Sequence, residues 1–262
     1  MKRKSAGTSD MSIHINLELT DHCNIKCGMC SQSMRDDAHG APKKFMDWNT
    51  WRSSLHGLAD MEEDVHLCPH WLGEPTIHPE FDKFVEYAFG INLGNRLFRE
   101  FKLHTNAVVF SEARARLLLR LANAAGQAED TFRFIHFSVD AHSPAVYERV
   151  KGAPRGMQVR NNVERFLSLR DALGSEWPKV TLAYVVQPDN AGEAADFLAH
   201  WQPRLRNPAL TYDWPHEVRD TIYFRPLNCG EQEEADRLHA ETCRAMGMDV
   251  PDGDRLRAAE SF

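Results

Sequence analysis

Thr20-Asp21-His22-Cys23-Asn24-Ile25-Lys26-Cys27-Gly28-Met29-Cys30 gathers three of the chain's six cysteines into eight residues. The other three, Cys68, Cys229 and Cys243, are scattered. A secreted domain held by disulfides is usually short and spreads its cysteines along its length. In a reducing compartment a tight thiol cluster reads instead as a metal-binding or catalytic loop, and the cytosol is the expected location. The loop directly follows an alternating apolar–polar run, Ile13–Leu19. It therefore lies at the carboxyl end of a strand, where parallel α/β proteins carry their chemistry.

Outward from that loop the same unit recurs. Strand patterns cover Ile13–Leu19, Val65–Leu72, Phe101–Asn106, Phe132–Val139, Val180–Val186 and Thr221–Leu227. Helical patterns follow them: Asp47–Leu58, Pro79–Gly90, Ser111–Ala125, a long stretch Pro144–Leu173, Glu193–Trp201 and Glu231–Met246. Asn49 before Trp51, and Ser143 before Pro144, read as helix starts. Six strand–helix units in a row predict a parallel α/β sheet with right-handed crossovers. A doubly wound sheet is covered on both faces and should be nearly all apolar. Here one face is repeatedly polar: His14, Asn16 and Glu18; His66, Cys68 and His70; Lys102, His104 and Asn106; His136, Ser138 and Asp140; Thr221, Tyr223 and Arg225. A curved sheet with helices outside and a polar hollow inside accounts for that pattern, and the hollow suggests a polar substrate.

A chain of 262 residues, 42% hydrophobic and 26% charged, is long enough to bury a sizeable core. Its 31 basic against 38 acidic residues give a net charge of −7, which argues against a nucleic-acid partner. The basic start, MKRKSAGTSDMS, has no apolar run behind it, and no stretch is apolar enough to span a bilayer. The expected division is a structureless tail over 1–12, a barrel over 13–230, and a carboxyl-terminal helix and tail over 231–262.

Cys23, Cys27 and Cys30 can ligate three corners of a four-iron cluster and leave the fourth iron open. A zinc knuckle needs a fourth ligand that closes a tetrahedron. His22 is poorly placed for it, and the nearest distal candidates are Cys68 and His70.

The Cys-x3-Cys-x2-Cys spacing after the first strand resembles the hallmark of the radical SAM superfamily. That resemblance implies a partial (β/α)6 TIM-like barrel, a 4Fe-4S cluster on the three cysteines, and S-adenosyl-L-methionine at the open iron. It also implies reductive cleavage of that cofactor to a 5′-deoxyadenosyl radical, which takes hydrogen from a substrate. An electron donor such as flavodoxin or ferredoxin is the implied partner.

Other positions carry the resemblance further. Leu72-Gly73-Glu74-Pro75 resembles the family's Gly-Gly-Glu-Pro, less its first glycine, so Gly73 and Glu74 are expected near the methionyl amino group. Met29 stands where an aromatic residue usually packs near the adenine. Thr105-Asn106-Ala107 is similar to a Thr-Asn-Gly turn. Ser138 and Asp140 resemble polar residues that contact the ribose and methionyl parts. Val150-Lys151-Gly152 stands where many relatives have Ile-Arg-Gly, so Lys151 is either a partner for the cofactor carboxylate or an exposed helix lysine.

The stretch from Phe224 to Cys229 resembles the approach to a SPASM or twitch extension, yet two further thiols, Cys229 and Cys243, do not make up a conventional auxiliary cluster. Gln187-Pro188-Asp189-Asn190 and Phe224–Cys229 most resemble the MoaA/SPASM side of the superfamily, whose members modify peptides or small natural-product precursors. The dozen residues before the first strand leave no place for a leader-binding module, which favours a small molecule or separately delivered peptide. A non-catalytic metal-binding or scaffolding protein on the same fold is the competing reading. His66, Cys68 and His70 either line the substrate cavity or are hydrogen-bonded interior groups.

Overall fold

The computed structural model describes residues 12–31, 44–61 and 63–250. Of the tail expected over 1–12, residues 1–11 lie outside the described residues, as do 251–262 of the carboxyl-terminal helix and tail.

Seven strands form one parallel sheet among the described residues: β1 (Ser12–Asn16), β2 (Asp64–Cys68), β3 (Glu100–Thr105), β4 (Phe132–Ser138), β5 (Lys179–Val186), β6 (Ala209–Thr211) and β7 (Thr221–Pro226). Their order is β1-β2-β3-β4-β5-β7-β6. Six are the strands expected from the sequence. The seventh, β6, is only three residues long and pairs with β7 at the sheet's edge. Ala-Leu-Thr is too short to show a period, so its strand state comes from β7 alone.

The helices are α1 (Trp48–Gly57), α2 (Phe81–Asn95), α3 (Glu112–Ala122), α4 (Pro144–Lys151), α5 (Gly156–Ala172), α6 (Ala194–Trp201) and α7 (Gln232–Ala245). Asp47, rather than Asn49, caps α1 by accepting from the backbone amides of Asn49 and Thr50. The stretch from Pro144 to Leu173 is two helices. α4 ends at Gly152, whose φ of 64° is left-handed, and α5 begins only after Pro154.

Strand alternation sorts the side chains into two environments. Val65, Leu67, Phe101, Leu103, Ile135, Phe137, Val180, Leu182, Ile222 and Phe224 point outward and are buried. α1, α2, α5 and α6 cover them with Trp51, Phe84, Phe89, Phe166 and Phe197. α7 lies on the same layer, where its buried His239 ring contacts the Phe224 carbonyl at 3.1 Å. The alternate residues face the hollow. At its amino-terminal end Glu100 accepts from Arg133 (Nε, 2.9 Å) and pairs with His66 (3.1 Å) and Lys102 (3.5 Å). Burial works against the Glu100 carboxylate, but His66 and Arg133 hold it well below the usual range. That end is closed by charge pairs; the carboxyl-terminal end is open. No helix of the described residues is long and apolar enough to cross a membrane.

Candidate active site

The carboxyl-terminal ends of the strands surround a cavity of about 250 Å³. Cys23, Cys27, Met29 and Cys30 form one wall; Gly73, Glu74, Asn106, Ser138, Asp140 and Lys151 contribute to the others. The structure thus brings together every site residue expected from the sequence, although they span 129 positions from Cys23 to Lys151.

All three loop cysteines are free thiols and half-buried. Burial pushes Cys23 up to about 11 and also raises Cys27 against the pull of Lys151. These groups are held as thiols, so taking up a metal would release their protons. No group of three or more His, Cys, Asp or Glu side chains among the described residues is already gathered around one point as a single-ion site.

Two glycines grip the loop from opposite sides. A Cβ at Gly73 would lie 1.9 Å from the Thr20 carbonyl oxygen and 2.6 Å from that of His22. A Cβ at Gly152 would lie 2.3 Å from the Lys26 carbonyl oxygen. Only glycine permits either approach. Backbone pairing reinforces the first contact, with Glu74 N donating to His22 O at 2.7 Å.

Glu74 is the hub of the far wall. Its Oε1 accepts from Thr76 N, Thr76 Oγ1 and Thr105 Oγ1 at 3.1, 2.5 and 2.7 Å. Its Oε2 accepts only from Asn106 N, at 2.6 Å, which leaves acceptor capacity. Burial raises its pKa, and the surrounding donors oppose that rise. Asn106 ties this wall to the cysteine loop by donating from Nδ2 to Asn24 Oδ1 at 2.8 Å, 3.6 Å from Cys23 Sγ. Ala107 follows with a φ of 61°, the reason the related turn carries glycine there.

Lys151 is not an exposed helix lysine. It is 2% exposed and ion-paired with Asp140, itself 1% exposed and left-handed at φ 58°. Asp140 Oδ1 accepts from Val185 N at 2.7 Å, which fixes the carboxylate. Burial disfavours the Lys151 ammonium, but Asp140, with Cys27 behind it, more than offsets this and raises its pKa. The ammonium has three donors, and only the one to Asp140 is used among the described residues. Met29 Sδ lies 3.4 Å from Gln187 Nε2, which anchors it beside the end of β5. Ser138 is half-buried on the inner face of β4.

Three contributors were not singled out from the sequence for their roles here. Glu18 accepts from the amides of Leu72 and Gly73 at 2.6 and 2.7 Å, holding the glycine turn against the cysteine loop. Gly152 was quoted only as part of a motif. The Tyr147 hydroxyl is buried without a hydrogen-bond partner among the described residues and lies in the field of Lys151 and Cys27. Of these only Glu18 had a sequence signal, as a member of the polar face expected for the first strand.

A family model described as Radical SAM superfamily matches residues 17–199, more than half of the chain. The chain belongs to the radical SAM superfamily. A curated relative is a tungsten-containing aldehyde ferredoxin oxidoreductase cofactor-modifying protein of Pyrococcus furiosus. It is 22% identical over 221 residues, which cover 80% of this chain and 55% of the relative. A second, the mycofactocin maturase MftC of Mycobacterium ulcerans, is 28% identical over 194 residues, 72% of this chain and 44% of its own. The chain spans about half the length of the curated relatives it matches. Among solved structures, native anSMEcpe with bound AdoMet shares the fold at a TM-score of 0.61 and 15% identity, over 90% of this chain and 59% of the other.

The cofactors of this radical SAM chain are those of its family, a 4Fe-4S cluster and S-adenosylmethionine. Its residues fit them: three free thiols share one wall of a cavity, and Gly73, where any Cβ would collide with the Thr20 and His22 carbonyls, holds the Glu74 wall directly against the cysteine loop.

Proposed function

We propose that this chain is a radical SAM enzyme acting on a polar small molecule or a peptide. When bound, the cluster and S-adenosylmethionine supply a 5′-deoxyadenosyl radical that abstracts hydrogen from the substrate. Cys23, Cys27 and Cys30 hold the cluster. Glu74, through Oε2, and the Gly73 turn receive the methionyl ammonium. Lys151, aimed by Asp140, uses its two remaining donors on the cofactor carboxylate. Asn106, Ser138 and Asp140 bound the ribose and methionyl region, and Met29 packs by the adenine as a polarizable apolar surface. The buried walls exclude water from the reacting centre.

The observation that carries this reading is the convergence of Lys151 and Glu74 on the same cavity wall system as the three thiols. Two curated relatives are a cofactor-modifying protein and a maturase. Their names support modification or maturation of another molecule; the electron donor, such as flavodoxin or ferredoxin, follows from the family chemistry. Anaerobic reconstitution tests the reading. The protein is expected to take up four iron and four sulfide per chain, to colour, and to cleave S-adenosylmethionine with dithionite. Cys27→Ala is expected to lose both. Stoichiometric zinc without colour, or a loaded cluster with no cofactor cleavage, would defeat the reading.

A further inference from the structure

Beneath the cavity the hollow contains a feature the cofactor does not need. His70, His104 and His136, from the end of β2 and from β3 and β4, stack as parallel rings across the inner face. Their centroids are 5.3 Å apart at 6° and 4.5 Å apart at 14°. Tyr223 meets His136 edge-on at 6.4 Å. On β5 the inner-face residues between them are Thr181 and Ala183, which leave room. The three stacked rings line one side of the hollow, and His70 reaches the cavity itself.

Arg225, on β7, also lines the cavity, and its charge is felt at His104 and His136. The other cations of the hollow have acids: Lys151 has Asp140, and Lys102 and Arg133 share Glu100. Arg225 makes no ion pair among the described residues, and its Nε is buried without a hydrogen-bond partner. His136, 7% exposed, has a buried Nδ1 without a partner as well. Buried polar groups in folded proteins nearly always have partners. The imidazoles do not compete for the anion's charge. Burial lowers His70 to about 4 and His136 to about 3, with the positive field of Arg225 adding to the latter. The hollow therefore presents one uncompensated positive charge beside neutral hydrogen-bonding rings.

We infer that Arg225, facing His70 and the His104–His136 stack, anchors an oxyanion, a carboxylate or a phosphate, carried by the substrate. The inference rests on the radical SAM reading of the cavity and names its substrate class. A guanidinium binds such groups through two parallel hydrogen bonds, and the neutral imidazoles beside it offer further hydrogen-bonding groups to a compact polar molecule.

The test uses the anaerobically reconstituted protein saturated with S-adenosylmethionine. It is titrated calorimetrically with inorganic phosphate and, separately, with acetate at constant ionic strength. Saturable binding of at least one anion is expected. Arg225→Gln should weaken it by about tenfold or more. Cofactor affinity should stay within about twofold, and the exposed control Arg237→Gln should change neither. The anion that binds tells a phosphate from a carboxylate substrate. Equal binding by wild type and Arg225→Gln means an adventitious ion only and overturns the inference. So does an absence of binding by wild type. A parallel loss of cofactor affinity overturns it too, because the arginine would then serve the cofactor. Should Arg225→Gln fail to fold, phenylglyoxal labelling of wild type decides: phosphate or acetate must protect the Arg225 peptide. A wild type that takes up no cluster defeats the proposed function instead, and the labelling still reports on Arg225 by itself.

Discussion

Among the described residues two ion pairs are almost fully buried, and they differ in one respect. Arg170 and Asp220 join α5 to the segment before β7 at 1% exposure each. Both Asp220 oxygens are saturated: they accept from Arg170 at 2.7 and 2.6 Å, from Val180 N at 2.9 Å and from Arg206 N at 2.9 Å. Lys151 and Asp140 are as deeply buried, but the lysine keeps two unused donors on a cavity wall. In the first pair the protein fills the acid, and the spare donor, Arg170 Nε, is buried without a partner among the described residues; in the second the spare donors face the cavity, where the proposed cofactor would use them. Where the spare donors lie, more than burial, distinguishes the two pairs here.

Breaking the structural pair should have the largest effect. Arg170→Leu leaves Asp220 buried and unpaired, and is expected to cost about 3–5 kcal/mol in denaturant unfolding. The reconstituted chromophore of whatever remains folded should be unchanged. A cost under about 1 kcal/mol would erase the contrast between the pairs.

Lys151→Met should cost somewhat less stability, about 3 kcal/mol, because Asp140 at the cavity wall can take up a proton or water. Its larger effect should be functional. S-Adenosylmethionine affinity by calorimetry is expected to fall about tenfold or more, a loss that Arg170→Leu does not share.

Gly152→Ala tests the grip on the cysteine loop. At φ 64°, with Lys26 O 2.3 Å from the new Cβ, a loss of about 2 kcal/mol is expected. The cluster's electron paramagnetic resonance line shape should change, because Lys26 adjoins Cys27.

Acid should loosen the hollow more gradually. His70 and His136 stay neutral when folded, while the unfolded chain takes up their protons below about pH 6.5. Stability should therefore fall as pH drops from about 6.5 towards 4, by about 1.4 kcal/mol per pH unit for each ring. His136→Phe is expected to flatten that slope in melts at successive pH values.

The smallest effect is at Ala107. Ala107→Gly relieves the left-handed strain but loses a buried methyl and frees the unfolded chain, so a change within about 1 kcal/mol is expected. A larger gain would mean that the turn itself limits stability.

Much of this was readable in the sequence, for definite reasons. The inner and outer faces of β2, β3 and β4 were legible because strand alternation has a period of two, and buried parallel strands are polar on one face only when something polar lies there. The site was legible where chemistry forces residue type: three thiols, a glycine under a carbonyl, a carboxylate after it. β6 was not legible, because three residues carry no period. Lys151 was ambiguous for the same kind of reason, since one lysine on a helix says nothing about which side of the helix is buried. The roles of Glu18 and Gly152 were equally hidden, because each depends on a backbone group far away in the chain.

The sequence by itself determined the cysteine loop, its place after the first strand, the α/β order and the polar lining of the hollow. These are local patterns, set by spacing and alternation. Only the tertiary structure decided that Lys151 is buried with donors left over, that Glu74 keeps one oxygen partly free, and that Arg225 faces three neutral imidazoles without an acid. Those facts are balances of partners. A balance exists only once residues up to two hundred positions apart, from Cys23 to Arg225, line one cavity.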